Sequence, residues 1–384
     1  MNLPQVLSQV DHIASSIVAS DADRVDREAA WPEAGLRALQ QAGLGGLVAP
    51  LASGGLGLGF EALALVCERL GQQCASTALC FGMHCVGTAV IAAKASATQR
   101  LHYLEPIARG EHFTTLALSE PGTGIHFYLP QTTLARTADG AWQINGTKTF
   151  VTNGGHADSY VVSTVAAEPD APIGQFSCVL VPADAPDLSW GEPWNGLGMR
   201  GNASRELRLR DSRIPGDNLI GDEGDQIWYV FEVVAPFFLM AMAGSYLGVA
   251  TAAFDAARRH LGDRQYAHKG KALGGEPVLQ HRLGSLWARL EATRRLVYHA
   301  ATELDTGSTA GLAAVLAAKA EVAECVVSVV NEAMTLVGGI GYRNGGAMGR
   351  HLRDARAAHV MAPTTDILRT WTGRALLDLP LLAD

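Results

Sequence analysis

The sequence predicts an α+β fold in which a β-domain separates two helical domains. Three observations predict it. Residues 1–114 carry apolar side chains at helical spacing, residues 115–221 break into short alternating runs between turn signals, and residues 222–384 return to long helical patterns. The expected units are an N-terminal α-helical domain (1–114), a middle β-domain (115–221) and a C-terminal α-helical bundle domain (222–384). At 384 residues and 48% hydrophobic, the chain has ample material for a core shared among two or three domains.

In the first domain Trp31, Leu36, Leu39 and Leu44 recur at roughly helical spacing, and Gly43 to Gly46 breaks the run. The glycines from Gly54 to Gly59 suggest a dinucleotide loop, but helix and turn precede them where that motif needs a strand. Glu61 to Gly71 and Thr77 to Ala93 then form apolar helices, the second containing His84, and Ala97 to Gly110 leads into the β-domain. There, Thr132–Arg136, Trp142–Asn145, Tyr160–Thr164 and Phe176–Val181 alternate as strands do. Beyond Gly221, Ala292–Ala301 and Val326–Leu336 read as core helices of a bundle.

The net charge of −8 and the lack of a basic run interleaved with aromatics argue against nucleic acid as a partner. The six cysteines show neither metal spacing nor a disulfide framework, and the first twenty residues lack a basic segment, so a cytoplasmic chain is expected. Val233 to Phe254 carries no charge and is long enough to span a bilayer. Pro236, Gly244, Ser245 and Gly248, with no basic flank, favour a helix buried on all sides, and no membrane span is expected.

Two stretches of the β-domain carry chemistry. One is Ala117-Leu118-Ser119-Glu120-Pro121-Gly122-Thr123-Gly124; the other runs from Asn145 through Phe150, Val151, Thr152 and Asn153 to Gly155. Each passes from strand-like residues into a turn, where backbone N–H groups and the Ser119 and Thr152 hydroxyls could meet a flat polar ring and Phe150 could stack on it. The same residues also suit a hairpin whose hydroxyls satisfy a turn. The residues alone leave both readings open.

Together the two stretches resemble the flavin-binding signatures of the acyl-CoA dehydrogenase family, and the similarity continues over nearly the whole chain. The resemblance implies a helical N-terminal domain, a middle β-barrel or sandwich and a C-terminal four-helix bundle, with FAD as cofactor. It places Leu118, Ser119 and Gly124 at the first flavin motif, and Phe150 and Thr152 against the isoalloxazine, Phe150 standing where the family often has Trp. Gln265-Tyr266-Ala267 and the turn Gly338-Gly339-Ile340-Gly341 fall where the family reaches a neighbouring subunit's FAD, and Gln280 fits a glutamine before the next helix. A homodimer or homotetramer is therefore implied, with an acyl-CoA or other small molecule as substrate and room for an electron acceptor protein. Arg200 reads as structural.

The family removes an α-proton with a carboxylate while flavin N5 takes the β-hydride. By resemblance that Glu would stand at Ala362, followed by Pro363 in place of Gly. The alternative position, on the long apolar helix at Ala235 to Met240, also lacks a carboxylate, and Glu232 lies upstream of it. After the first motif the chain reads Gly124-Ile125-His126-Phe127-Tyr128 where the family usually continues Gly-Ser-Asp to meet the CoA tail. Asp366 lies one turn beyond the Glu position. The candidate bases are His126, His359 and His84, in that order, since a neutral imidazole accepts a proton near neutral pH. Three functions stay open: a dehydrogenase with a non-standard base, a reduced-flavin-dependent monooxygenase on the same fold, and a catalytically silent FAD-binding subunit of a heteromeric dehydrogenase.

Overall fold

A computed structural model describes residues 1–165, 167, 176–268 and 270–382. The N-terminal part is helical: α1 (Leu3–Ile13), α2 (Ala19–Glu28), α3 (Glu33–Gln41), α4 (Phe60–Gln73) and α5 (Ala75–Lys94). Asn2 caps α1 with a reciprocal bond to Gln5. The glycine-rich stretch before α4 is turns and a short 3-10 segment, with no strand before it.

The middle part holds β1 (Thr114–Ala117), β2 (Thr133–Arg136), β3 (Trp142–Val151), β4 (Ser159–Val165), β5 (Phe176–Pro182), β6 (Leu188–Trp190), β7 (Arg205–Ile214) and β8 (Leu219–Ile220). They form two sheets of order β1-β4-β5-β8 and β2-β3-β7-β6. All pairs are antiparallel except β1 with β4. The strand expected over Trp142–Asn145 continues unbroken to Val151. Asn145-Gly146 does not end it because β7 pairs along its length; the register shift between Ile144 and Gly146 puts its extra residue on β7, where Arg210 and left-handed Asp211 lie opposite Asn145.

The C-terminal part comprises α6 (Ala235–Asp263), α7 (Pro277–Asp305), α8 (Gly311–Val337), α9 (Ala347–Val360) and α10 (Thr365–Leu376). The α6 helix packs on α4, α7 and α8, and α10 packs on α8. The small residues of α6 explain this closeness: a Cβ at Gly244 or Gly248 would collide with the carbonyl oxygens of Ala64 or Glu68 in α4. Two helical spans, Ala75–Lys94 and Tyr229–Asp263, are long and apolar enough to cross a membrane, but 94% and 89% of their apolar 18-residue windows lie buried inside the protein. Their all-round apolarity is spent on neighbouring helices.

Candidate active site

The two motifs lie in different sheets, so they are not two arms of one hairpin. The backbone N–H of Thr149, on β3, donates to the Ser119 carbonyl at 2.7 Å, joining the end of β1 to β3. Beneath that contact Lys148 and Glu120 form a buried ion pair at 2.5 Å. Glu120 also accepts from the backbone of Gln131 and Thr132 and from the Thr132 hydroxyl, while Lys148 donates to the Leu118 carbonyl and the Ser163 hydroxyl. Burial pulls Lys148 down to about 8, opposed by the Glu120 charge. Every donor and acceptor of the pair is used, which a buried ion pair requires. Both residues lie inside the two flavin stretches, yet neither has a role legible from the motifs themselves. The pair's signal was parity: Lys148 shares the inward face of β3 with Trp142 and Ile144, both buried.

Leu118 is buried at this junction and Ser119 half-buried beside it. Among the described residues no protein group bonds the Ser119 hydroxyl, and the Thr152 hydroxyl meets only that of Ser204, at 3.4 Å. The ring of Phe150 is 67% exposed, with Trp194 edge-on at 6.2 Å. Available hydroxyls beside an exposed aromatic face fit a flavin's polar edge and ring. Phe150 and Asn153 adopt left-handed backbone (φ 55° and 62°), bracketing Val151 and Thr152. Gly124, also left-handed at φ 54°, lies in the exposed loop that follows.

Gln265 and Gly339 line one cleft of about 500 Å³. Gly338 begins the short turn that carries Gly339. His260, Arg264 and Arg343 share the cleft, and these nitrogen-rich side chains suit the phosphates of a dinucleotide. His260 and Arg343 were missed because neither belongs to a local motif. Gln280 is oriented elsewhere: its side chain donates to the Gly274 carbonyl at 2.8 Å, closing the loop before α7.

The three imidazoles differ sharply. His84 is fully buried, its Nε2 bonded to the Gly45 carbonyl at 2.9 Å and its Nδ1 accepting from Thr114 N–H at 3.1 Å. Its ring stacks on Phe113 at 4.3 Å, and burial lowers its pKa to about 4. With both nitrogens committed in the core, His84 cannot serve as the base. His126 is exposed on the loop after Ser119, its Nδ1 2.9 Å from the hydroxyl of buried Tyr128. His359 is half-buried near the end of α9, its Nδ1 3.2 Å from the Thr365 hydroxyl at the head of α10. Ala362 lies in the turn between those helices. That turn is held by Lys319, fully buried and donating to the carbonyls of Ala358, Met361 and Pro363. Glu232 and Asp366 are exposed, and Arg200 donates to the Asp26 carbonyl at 2.7 Å, a structural tie between domains.

Family descriptions match along the chain: "Acyl-CoA dehydrogenase, N-terminal domain" over 4–111, "middle domain" over 115–212 and "C-terminal domain" over 238–377. The chain is 31% identical to cyclohex-1-ene-1-carbonyl-CoA dehydrogenase of Geobacter metallireducens, over 97% of both proteins. It is 30% identical to human mitochondrial short-chain specific acyl-CoA dehydrogenase, over 91% of this chain and 83% of that one. A chain in the structure of the electron transferring flavoprotein of Acidaminococcus fermentans superposes with a TM-score of 0.91 at 26% identity, covering 98% of this chain and 97% of that one. With all three domain descriptions matched in order, and a flavin-ready junction between its two sheets, this chain belongs to the acyl-CoA dehydrogenase family of FAD-dependent oxidoreductases acting on CH–CH groups.

Proposed function

We propose that the protein carries out α,β-dehydrogenation of an acyl thioester with an imidazole in place of the family's carboxylate. One observation carries this reading: Ala362 offers no proton-transfer group, while His126 stands on the loop leaving Ser119 with its ring oriented by Tyr128. Bound FAD would supply the acceptor for the β-hydride, held by Leu118, Ser119, Gly124, Phe150 and Thr152. With Nδ1–H donated to the Tyr128 oxygen, His126 Nε2 keeps its lone pair and can take the α-proton. His359, bonded through Nδ1 to Thr365 beside Ala362, is the alternative base.

The cleft bearing Gln265 and Gly339 would receive the FAD of a second copy in a homodimer or homotetramer, and an electron acceptor protein would reoxidise the flavin. The substrate's handle is a thioester, with CoA the first to test because the loop at 125–128 departs from the family's pattern. All six cysteines are free and buried, which suits a reducing compartment such as the cytoplasm.

The test is anaerobic titration of the purified flavoprotein with acyl-CoAs while the visible flavin band is followed, in the natural protein and in His126→Ala and His359→Ala. Bleaching that is lost only in His126→Ala supports the assignment, and loss only in His359→Ala moves the base there. No bleaching by any thioester, with oxygen-dependent hydroxylation when reduced flavin is supplied, would favour the monooxygenase reading that Ala362 also permits.

A further inference from the structure

We propose that Trp31 is a positioning residue for the flavin: its indole N–H, bonded to Asn153, lets the N-terminal helical domain set the turn that presents Thr152. Trp31 precedes α3 and is 7% exposed. Its Nε1 donates to Asn153 Oδ1 at 2.9 Å, across 122 residues of sequence. Asn153 follows Thr152, is fully buried and sits in left-handed backbone at φ 62°. Asparagine tolerates that region better than most residues, but the conformation persists only where its surroundings hold it.

The surroundings here are complete. Asn153 Nδ2 donates to the Cys80 carbonyl on α5 at 3.0 Å, and its backbone N–H donates to the Asn202 carbonyl at 3.0 Å. Its own carbonyl accepts from His156 and Ala157. The Thr152 carbonyl is held by the Thr115 hydroxyl at 3.1 Å. What these bonds leave adjustable is the direction of the Thr152 hydroxyl, which follows the backbone on either side. Trp31 is the one member of this set supplied by the segment between α2 and α3. It also grips the turn a second time, with His156 stacked on it at 4.6 Å and 7° between planes, and the Arg37 guanidinium lies 5.7 Å from its ring. Without the indole N–H, Asn153 Oδ1 would be buried with no donor, and the amide would have to turn or the backbone relax to satisfy it.

This inference rests on the flavin reading, and the experiment separates the two. Trp31→Phe keeps an aromatic ring in the pocket and deletes the donor. The readouts are the affinity of the apoprotein for FAD, the visible band of the bound flavin and the thermal midpoint. The expected result is FAD affinity weakened about tenfold, the worth of one buried hydrogen bond, with a displaced visible band. Asn153→Ala also loses the Nδ2 bond to the Cys80 carbonyl, so it should weaken FAD more than Trp31→Phe does, and the double variant should weaken it by less than the sum of the two, since they share the Trp31–Asn153 bond. Should Trp31→Phe fail to fold, site-specific replacement of Trp31 by its benzothiophene analogue preserves the ring's shape and removes only the N–H. Unchanged FAD affinity and an unchanged band alongside a lowered thermal midpoint would reduce Trp31 to core packing and overturn the proposal. Additive effects of the two substitutions would overturn it as well. A natural protein that takes up no FAD would overturn the flavin reading and this inference together.

Discussion

Lys148 and Glu120 meet at 2.5 Å with both side chains out of water, directly under the contact between Thr149 and Ser119. The pair ties the end of β1 to β3, so the spacing of the two flavin motifs depends on a charge interaction between one residue of each. Its partners are the Leu118 carbonyl and Ser163 hydroxyl on one side and the Gln131–Thr132 backbone on the other.

Glu120→Ala leaves the Lys148 ammonium buried without a counter-charge. The expected loss is about 3–5 kcal/mol, the cost of breaking a buried pair from one side. Chemical denaturation of the variant should show it, with FAD released earlier in the transition than in the natural protein. Glu120→Gln retains an acceptor for Lys148 and should lose less.

Thr152→Ala and Ser119→Ala remove hydroxyls that have little or no protein bonding to lose. In folding stability Ser119→Ala should therefore stay within about 0.5 kcal/mol of the natural protein, while Thr152→Ala, whose side chain is buried, should lose about 1 kcal/mol with its methyl. The visible spectrum or midpoint potential of the flavin should move instead. A spectrum and potential identical to the natural protein's in both variants would remove these hydroxyls from the pocket.

Ala362→Glu would restore a carboxylate to the turn held by Lys319. Placed in a His126→Ala background, where the proposed imidazole base is gone, it should raise thioester-driven bleaching by ~10²–10⁴, the worth of a positioned general base. Pro363 restricts the backbone of residue 362, so Ala362→Glu with Pro363→Gly is measured beside it. Stopped-flow absorbance gives the rates. No gain in either variant would show that this turn no longer faces the acyl α-carbon.

His84 makes stability depend on pH in a predictable direction. Burial holds its folded-state pKa near 4, against 6.5 for an unperturbed imidazole. Between those values the unfolded chain takes up a proton that the folded chain refuses. Stability is therefore greatest above 6.5 and falls as the pH drops towards 4, by on the order of 3 kcal/mol from this residue. His351, also buried and lowered to about 4, acts in the same direction. Asp354 opposes them, because burial raises it to about 6 and stability from this group grows as pH falls through that value. Denaturation curves from neutral pH down to about 4 should show a shallower fall in His84→Asn, with a residue of slope left by His351.

The sequence by itself determined the order of helical, strand and helical segments, because periods of 3.6 and 2 are local properties that neighbouring residues repeat. It placed the strands over 160–164 and 176–181 within a residue or two of Ser159–Val165 and Phe176–Pro182. It also showed Ser119, Phe150 and Thr152 at strand ends, since turn chemistry is written in adjacent residues. What only the tertiary structure decided was who meets whom. Ser119 follows a strand of one sheet while Thr149 lies in the other, Trp31 bonds Asn153 from another domain, and Gln265 and Gly339 share a cleft although α7 and α8 lie between them in the chain. The same distinction separates the imidazoles. His84 and His126 are equally plausible as letters in the sequence, yet burial commits both nitrogens of one and leaves the other at the surface. Solvent exposure and long-range hydrogen bonding are set by how distant segments pack, and no local pattern encodes that packing.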